Sequence, residues 1–179
     1  MIGIGEKFPE FELNGVSGYA PNGAEGPDHD FVSVKSWQLQ DWSVIYFYPK
    51  DFTFICPTEI VGMDILREET DEVFGISGDN EYCKWAWRTE DEHSEMYSVG
   101  HPLLADCGLK LASELGIVKE DEGVCYRATY ILDPEGIIQY VSVNELDTGR
   151  NAKEVLRTLQ ALKAGGRTGC EWNPGEELL

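Results

Sequence analysis

SVIYFYPKDFTFICPTEI, residues 43–60, runs from an unbroken apolar and aromatic stretch through a proline into a pattern that starts a helix, with a cysteine at the seam. Ser43 to Tyr48 has the length of a strand and no polar alternation, which marks a strand buried on both faces; Asp41 and Pro49 bound it. Pro57 suits the first turn of a helix, and Ile60, Val61, Ile65 and Leu66 continue an amphipathic pattern to the neighbourhood of Glu69. Cys56 therefore falls at a helix N-terminus, just after a candidate central strand. A thiol attacks only as its anion, and an ordinary cysteine is about 3% ionised at neutral pH, whereas unpaired amides and the positive end of a helix dipole favour the anion. Position alone leaves two readings open for Cys56, a nucleophile and a small packed hydrophobe.

Working outward, NGVSGYAPNGAEGPDHD (14–30) reads as an irregular surface excursion after a short opening strand, and VSVKSW (32–37) as a second strand. EVFGISGD (72–79) reads as a strand, NEYCKWAWRTEDEHS (80–94) as a helix, and DCGLKLASELG (106–116) as a helix closed by Gly116. YRATYILDPEGIIQYVSVNE (126–145) holds two β-rich runs around the turn DPEG, a hairpin. Asn151 caps a last helix in which Ala152, Val155, Leu156, Leu159 and Leu162 recur at helical spacing, and a Gly-rich tail follows. Alternating strands and helices, then an antiparallel hairpin and a helix, predict an α/β fold with a central mixed β-sheet flanked by helices. A chain of 179 residues suits a single domain, 1–179, with 165–179 as its tail.

Thirty-three acidic against fourteen basic residues give a net charge of -19, which repels polyanions and argues against nucleic acid or an anionic membrane as partner. No apolar run approaches about 18 residues and the opening MIGIGEKFPEFEL has no basic-then-apolar leader, so a cytoplasmic location is expected. The five cysteines, at 56, 83, 107, 125 and 170, show no CxxC pair and no disulfide framework. Cys83, Cys107 and Cys125 are expected in the core, although Cys125, two residues before Arg127, could come near the site. His29, His93 and His101 lack metal-ligand spacing, so no metal site is expected and the three are placed on the surface or in loops.

Pro49, Thr53 and Cys56 form a PxxxTxxC pattern within FYPKDFTFICPTE, and WAWR, DEGVCYRATYILDPEGIIQ and TGRN follow in order. Together, from about Gly5 to Glu177, these blocks resemble the typical two-cysteine peroxiredoxins of the thiol-specific antioxidant family. The resemblance implies a thioredoxin-like fold with N-terminal and C-terminal extensions, and peroxidase activity without a bound cofactor. It implies Cys56 as the peroxidatic nucleophile, Thr53 bonding thiolate and peroxide, Arg127 stabilising the thiolate and the departing oxygen, and Pro49 shielding the site. Glu59 would orient Arg127, and Arg150 would join the arginine network. Cys170 would resolve the oxidised sulfur as an intersubunit disulfide in a homodimer, assembled into a ring of dimers. The implied partners are a hydroperoxide substrate and a thioredoxin-like or dedicated dithiol reductase.

Two departures from that pattern stand out. Family tails carry the resolving cysteine four residues before the tryptophan, where this chain has Thr168; Cys170 lies two before Trp172. The sequence stops at Leu179 without the C-terminal helix and YF motif of readily inactivated members, which implies resistance to overoxidation. A thioredoxin-type disulfide exchanger would need a second cysteine where Glu59 stands, and a chaperone or redox sensor acting through its assembly would be separated by turnover.

Overall fold

Seven strands build the main sheet of the computed structural model, which describes residues 1–18 and 30–179. They are β1 (Glu12–Val16), β2 (Phe31–Lys35), β3 (Ser43–Phe47), β4 (Val73–Ser77), β5 (Leu103–Ala105), β8 (Arg127–Leu132) and β9 (Ile138–Asn144). Their order is β2-β1-β5-β4-β3-β8-β9, while β6 (Val118–Lys119) and β7 (Val124–Cys125) form a separate ribbon. β4 runs parallel to β3 and β5 and the other neighbours pair antiparallel, so the sheet is mixed. The helices among the described residues are α1 (Ile55–Met63), α2 (Glu81–Thr89), α3 (Lys110–Leu115) and α4 (Ala152–Ala164).

β3 is buried along its whole length because each face of the sheet is covered. Val44, Tyr46 and Tyr48 join a cluster with Cys56, Ile60 and Met63 of α1, Trp87 of α2, and Val155 and Leu159 of α4. Ile45 and Phe47 join the other cluster, with Phe74 and Ile76 of β4 and Leu111 and Leu115 of α3. Period-2 alternation thus sends successive residues into different cores, and the absence of a polar face is what made the strand legible. Each such aliphatic side chain contributes roughly 1.5–3 kcal/mol by leaving water. β3 is interior but is not the midpoint of the sheet; that place belongs to β4.

The hairpin and the last helix stand where the sequence predicts them. Gly136 closes the DPEG turn with φ +77, and the Asn151 carboxamide accepts from the Lys153 and Glu154 amides at the start of α4. Other expectations are corrected. Asn14, Gly15 and Val16 belong to β1, and residues 19–29 of the anticipated excursion lie outside the described residues. β2 ends at Lys35, before a single 3-10 turn, Ser36–Gln38. α1 stops at Met63 and tightens into a 3-10 segment, Asp64–Glu68. α2 ends at Thr89, since Glu90, Asp91 and Glu92 put three negative charges at the negative end of the helix dipole. The helix predicted from Asp106 begins only at Lys110, because Gly108 and Leu109 are left-handed, at φ +80 and +53. The buried Asp106 carboxylate reaches over this kink to the amides of Leu111 and Ala112, which fixes the turn.

Candidate active site

Between β3 and α1 the chain makes a short loop, and its geometry is held from beneath. Asp51 is buried and accepts from the Tyr48 hydroxyl at 2.8 Å and from the Lys84 ammonium at 3.3 Å. Its own amide donates to the Asp79 carboxylate at 2.8 Å. Lys84 also donates to Ser77 Oγ at 2.6 Å and to Tyr48 Oη at 3.0 Å, so a fully buried ammonium has three oxygen partners. Burial raises the Asp51 carboxyl above its ordinary range, with Lys84 pulling the other way. One residue further on, Phe52 adopts φ +54, the left-handed region that a phenylalanine enters only under constraint. This pinned loop delivers Thr53 and Ile55 to the head of α1.

Cys56 is the second residue of α1, in the turn whose amides have no intrahelical acceptors; Pro57, next to it, has no amide to satisfy. The residue is 1% exposed. Arg127, the first residue of β8, places Nη1 3.4 Å from Cys56 Sγ and 2.6 Å from Glu59 Oε2, while its Nε donates to the Leu146 carbonyl at 2.7 Å. Glu59, one turn along α1 from Cys56, receives Arg150 Nε at 2.9 Å on its other oxygen, with the Arg150 amide also at 2.9 Å. Arg150 donates further to the carbonyls of Phe47 (2.5 Å) and Ala128 (3.1 Å), which locks the segment before α4 onto β3 and β8. Burial works to lower the Arg127 guanidinium, but the Cys56 hydrogen bond and the Glu59 charge outweigh it and hold it above its ordinary value.

The charge balance is informative. Two buried guanidiniums face one buried carboxylate, so the cluster carries one unmatched positive charge beside the sulfur. An unmatched buried charge is costly, and an anion at Sγ would neutralise it. The arrangement is thus suited to a buried thiolate and to negative charge appearing on an oxygen next to it.

The structure brings Cys56, Glu59, Arg127 and Arg150 into one bonded cluster. Thr53 lies at the head of the same helix, but its hydroxyl proton goes to the Lys50 carbonyl at 2.9 Å, leaving Oγ1 free to accept. Pro49 is half-buried at the end of β3. Cys170 is apart from the cluster and exposed, in the tail that folds back on α4. Trp172 anchors this tail: it is buried, its carbonyl accepts from Arg157 at 3.1 Å, and its indole donates to the Glu176 carbonyl at 3.1 Å.

The other cysteines divide. Cys125 is buried, as expected, but its thiol donates to the Tyr48 carbonyl at 3.0 Å, and burial pushes it up to about 12. Cys83 is half-buried and pushed up to about 11 by burial and by Asp51 and Asp79. Cys107 is exposed, contrary to its expected place in the core, because the left-handed kink before α3 turns it outward. His101, expected on the surface or in a loop, lies in the loop before β5 but is buried, with both ring nitrogens engaged; His93 is exposed, and His29 lies outside the described residues. Sequence reading missed Asp51 and Lys84 as the clamp on the loop. The one available signal was spacing: Lys84, Trp87 and Arg88 share a helical face, which a charge-based reading assigns to solvent but the fold buries.

Residues 4–141 match the family described as the AhpC/TSA family. Alkyl hydroperoxide reductase C of Mycolicibacterium smegmatis is 38% identical over 186 residues, spanning 100% of this chain and 94% of that one. Among solved structures, Mycobacterium bovis AhpC superposes with TM-score 0.84 at 34% identity, covering 97% of this chain and 99% of its own. A reduced 2-Cys peroxiredoxin of Plasmodium vivax gives TM-score 0.85 at 28% identity, covering 99% of this chain and 93% of its own. The mixed sheet with its flanking helices is accordingly a thioredoxin-like fold.

Proposed function

Since the chain belongs to the AhpC/TSA family and is a thiol-dependent peroxidase, we propose that Cys56 is its peroxidatic nucleophile, acting on hydrogen peroxide and organic hydroperoxides. The observation that carries this is Arg127 Nη1 at 3.4 Å from Cys56 Sγ, on a guanidinium that Glu59 holds in place. The Cys56 thiolate attacks one peroxide oxygen; a S–O bond forms as the O–O bond breaks, and the sulfur is oxidised by two electrons to sulfenic acid. The other oxygen leaves with the electron pair of the broken bond and takes up a proton as water or an alcohol. Arg127 faces the charge that develops on that oxygen, the kind of preorganised donor whose removal costs about 10²–10³ in rate. Thr53 Oγ1, with its proton committed to Lys50, accepts from the peroxide O–H and aligns it. Pro49 excludes water from the sulfur, and Arg150 keeps Glu59 from drawing Arg127 away.

Cys170 of a second copy then attacks the sulfenic sulfur, giving an intersubunit disulfide and water. A thioredoxin-like or dedicated dithiol reductase supplies two electrons to restore both thiols. Residues 1–179 act as one domain, with 165–179 as the tail that presents Cys170, in a homodimer within a ring of dimers in the cytoplasm. Among the described residues no helix is long and apolar enough to cross a membrane. Because Cys56 is buried in the first turn of α1 and Cys170 is exposed on the tail, the disulfide requires that turn to open.

The test is turnover. Purified protein with a dithiol reductant should consume peroxide, and Cys56→Ser should abolish consumption while the fold, read by circular dichroism, is kept. Cys170→Ser should oxidise at Cys56 at the normal rate yet show no crosslinked dimer on a non-reducing gel after one equivalent of peroxide. A Cys56→Ser variant with full activity would refute the assignment.

A further inference from the structure

We propose that Tyr46, fastened by His101 and Asp64, is a positioning residue for Arg150 and through it for the Cys56 cluster; the inference rests on the peroxidase reading above. The in-plane edges of the Arg150 guanidinium are taken up by Glu59, Phe47, Ala128 and the Thr129 hydroxyl, the last at 3.1 Å. Its face is seated on the ring of Tyr46, with Cζ 5.0 Å from the ring centroid. The ring backs the guanidinium plane that these hydrogen bonds hold by its edges. A cation over an aromatic face in a desolvated site is held more strongly than one at the surface.

Packing does not account for a tyrosine at this place. The side chain is fully buried in the middle of the sheet, and its hydroxyl meets His101 Nε2 at 2.7 Å. The other ring nitrogen, Nδ1, lies 2.8 Å from Asp64 Oδ1, which also receives the Gly100 amide at 2.9 Å. The neighbouring strand makes room: Gly75, the register partner of Tyr46, has an ordinary backbone, and a Cβ there would lie 2.6 Å from Tyr46 Oη, 2.7 Å from its ring Cζ and 2.9 Å from Leu103 Cδ2. A buried strand has therefore given up a side chain to seat the Tyr46 ring end and Leu103, and the hydroxyl is satisfied by a buried imidazole, His101, backed by the partly exposed Asp64. A phenylalanine would pack the same ring with no buried hydroxyl and imidazole to satisfy.

The proton order follows from the partners. Burial holds the Tyr46 phenol well above its ordinary value, and burial lowers His101 despite Asp64, so phenol and imidazole are both neutral. Burial opposes the charge on Asp64, but its hydrogen bond and charge interaction with His101, the Gly100 amide and Arg67 outweigh this and hold the carboxyl below its usual range. Asp64 thus accepts from Nδ1–H, and Nε2 accepts from the Tyr46 hydroxyl. A phenol donating to an imidazole that itself donates to a carboxylate has a more electron-rich ring, which is the face presented to Arg150.

The experiment follows the rate of Cys56 oxidation by hydrogen peroxide in stopped flow, alongside the melting temperature. Tyr46→Phe keeps the ring and removes the relay, and should slow oxidation about fivefold; Asp64→Asn, at the half-exposed end of the chain, should slow it about twofold. Both effects should vanish in an Arg150→Met background, or in Arg150→Gln should the first not fold, since residues acting through one group are not additive. His93→Ala, at an exposed histidine, should change nothing. Tyr46→Phe oxidising at the wild-type rate would overturn the proposal, as would an equal loss with and without Arg150; a merely structural role gives one of these results together with a lowered melting temperature. Wild-type protein that fails to oxidise at Cys56 would instead sink the peroxidase reading.

Discussion

Cys56 and Cys125 are both sealed from solvent and adjoin the C-terminal end of β3, yet they belong to different apolar clusters and meet opposite electrical surroundings. Cys56 faces a guanidinium nitrogen at 3.4 Å, within a cluster that has one positive charge to spare. Cys125 faces the oxygen of the Tyr48 carbonyl at 3.0 Å, a group that welcomes a thiol proton and repels a thiolate. Burial by itself penalises an ionised sulfur. The comparison shows that the neighbouring atom, not exposure, is what differs between the two sulfurs.

The largest way to break the contrast is to remove the nitrogen. Arg127→Met should lower the rate constant for Cys56 oxidation by roughly 10²–10³, read by stopped flow, while leaving Cys125 inert. Next comes the carboxylate that both guanidiniums share. Glu59→Gln leaves two buried cations without their anion and should cost about 3 kcal/mol in urea unfolding, with activity falling in step as Arg127 loses its alignment.

Smaller effects test the other sulfur. Cys125→Ala should keep peroxide turnover within about twofold and lose about 1–2 kcal/mol of stability, the usual cost of trimming a packed side chain. The wild-type thiol, pushed up to about 12 in the fold, stays neutral in both folded and unfolded chains below about pH 8.5, so its contribution is constant there. As pH rises from there towards 12 the unfolded chain loses this proton first, and stability falls by up to about 1.4 kcal/mol per pH unit. Cys125→Ala should flatten that alkaline slope, and an unchanged slope in denaturant titrations would show that the buried Cys125 thiol does not set it.

Much of this contrast could be read before any coordinates. The strand-to-helix seam at Pro49, Thr53 and Cys56 is local, so propensity and pattern place it, and the hairpin that starts at Arg127 is local as well. The pairing of Glu59 with Arg127 spans 68 residues and depends on β8 lying beside β3, an order that periodicity does not encode; only the resemblance carried it. For Lys84 and His101 the partners were out of reach for a related reason. Each is polar in a segment that reads as surface, and only the sheet beneath supplies the Asp51 and Tyr46 partners that make burial tolerable. The kink at Leu109 defeated the helix reading because nothing in a leucine announces a left-handed backbone.

The anchoring of Trp172 has a last consequence, one of length. With Gly165 closing α4, the indole buried and the Trp172 carbonyl held by Arg157, Cys170 rides on a loop tied at both ends and can sweep only a short arc. Once the indole lifts out, the same cysteine hangs on a leash of five residues from Gly165, about 17 Å at full stretch. Trp172 is thus the catch on that leash: seated, it keeps the sulfur home; released, it would set the reach of the intersubunit disulfide proposed for Cys170.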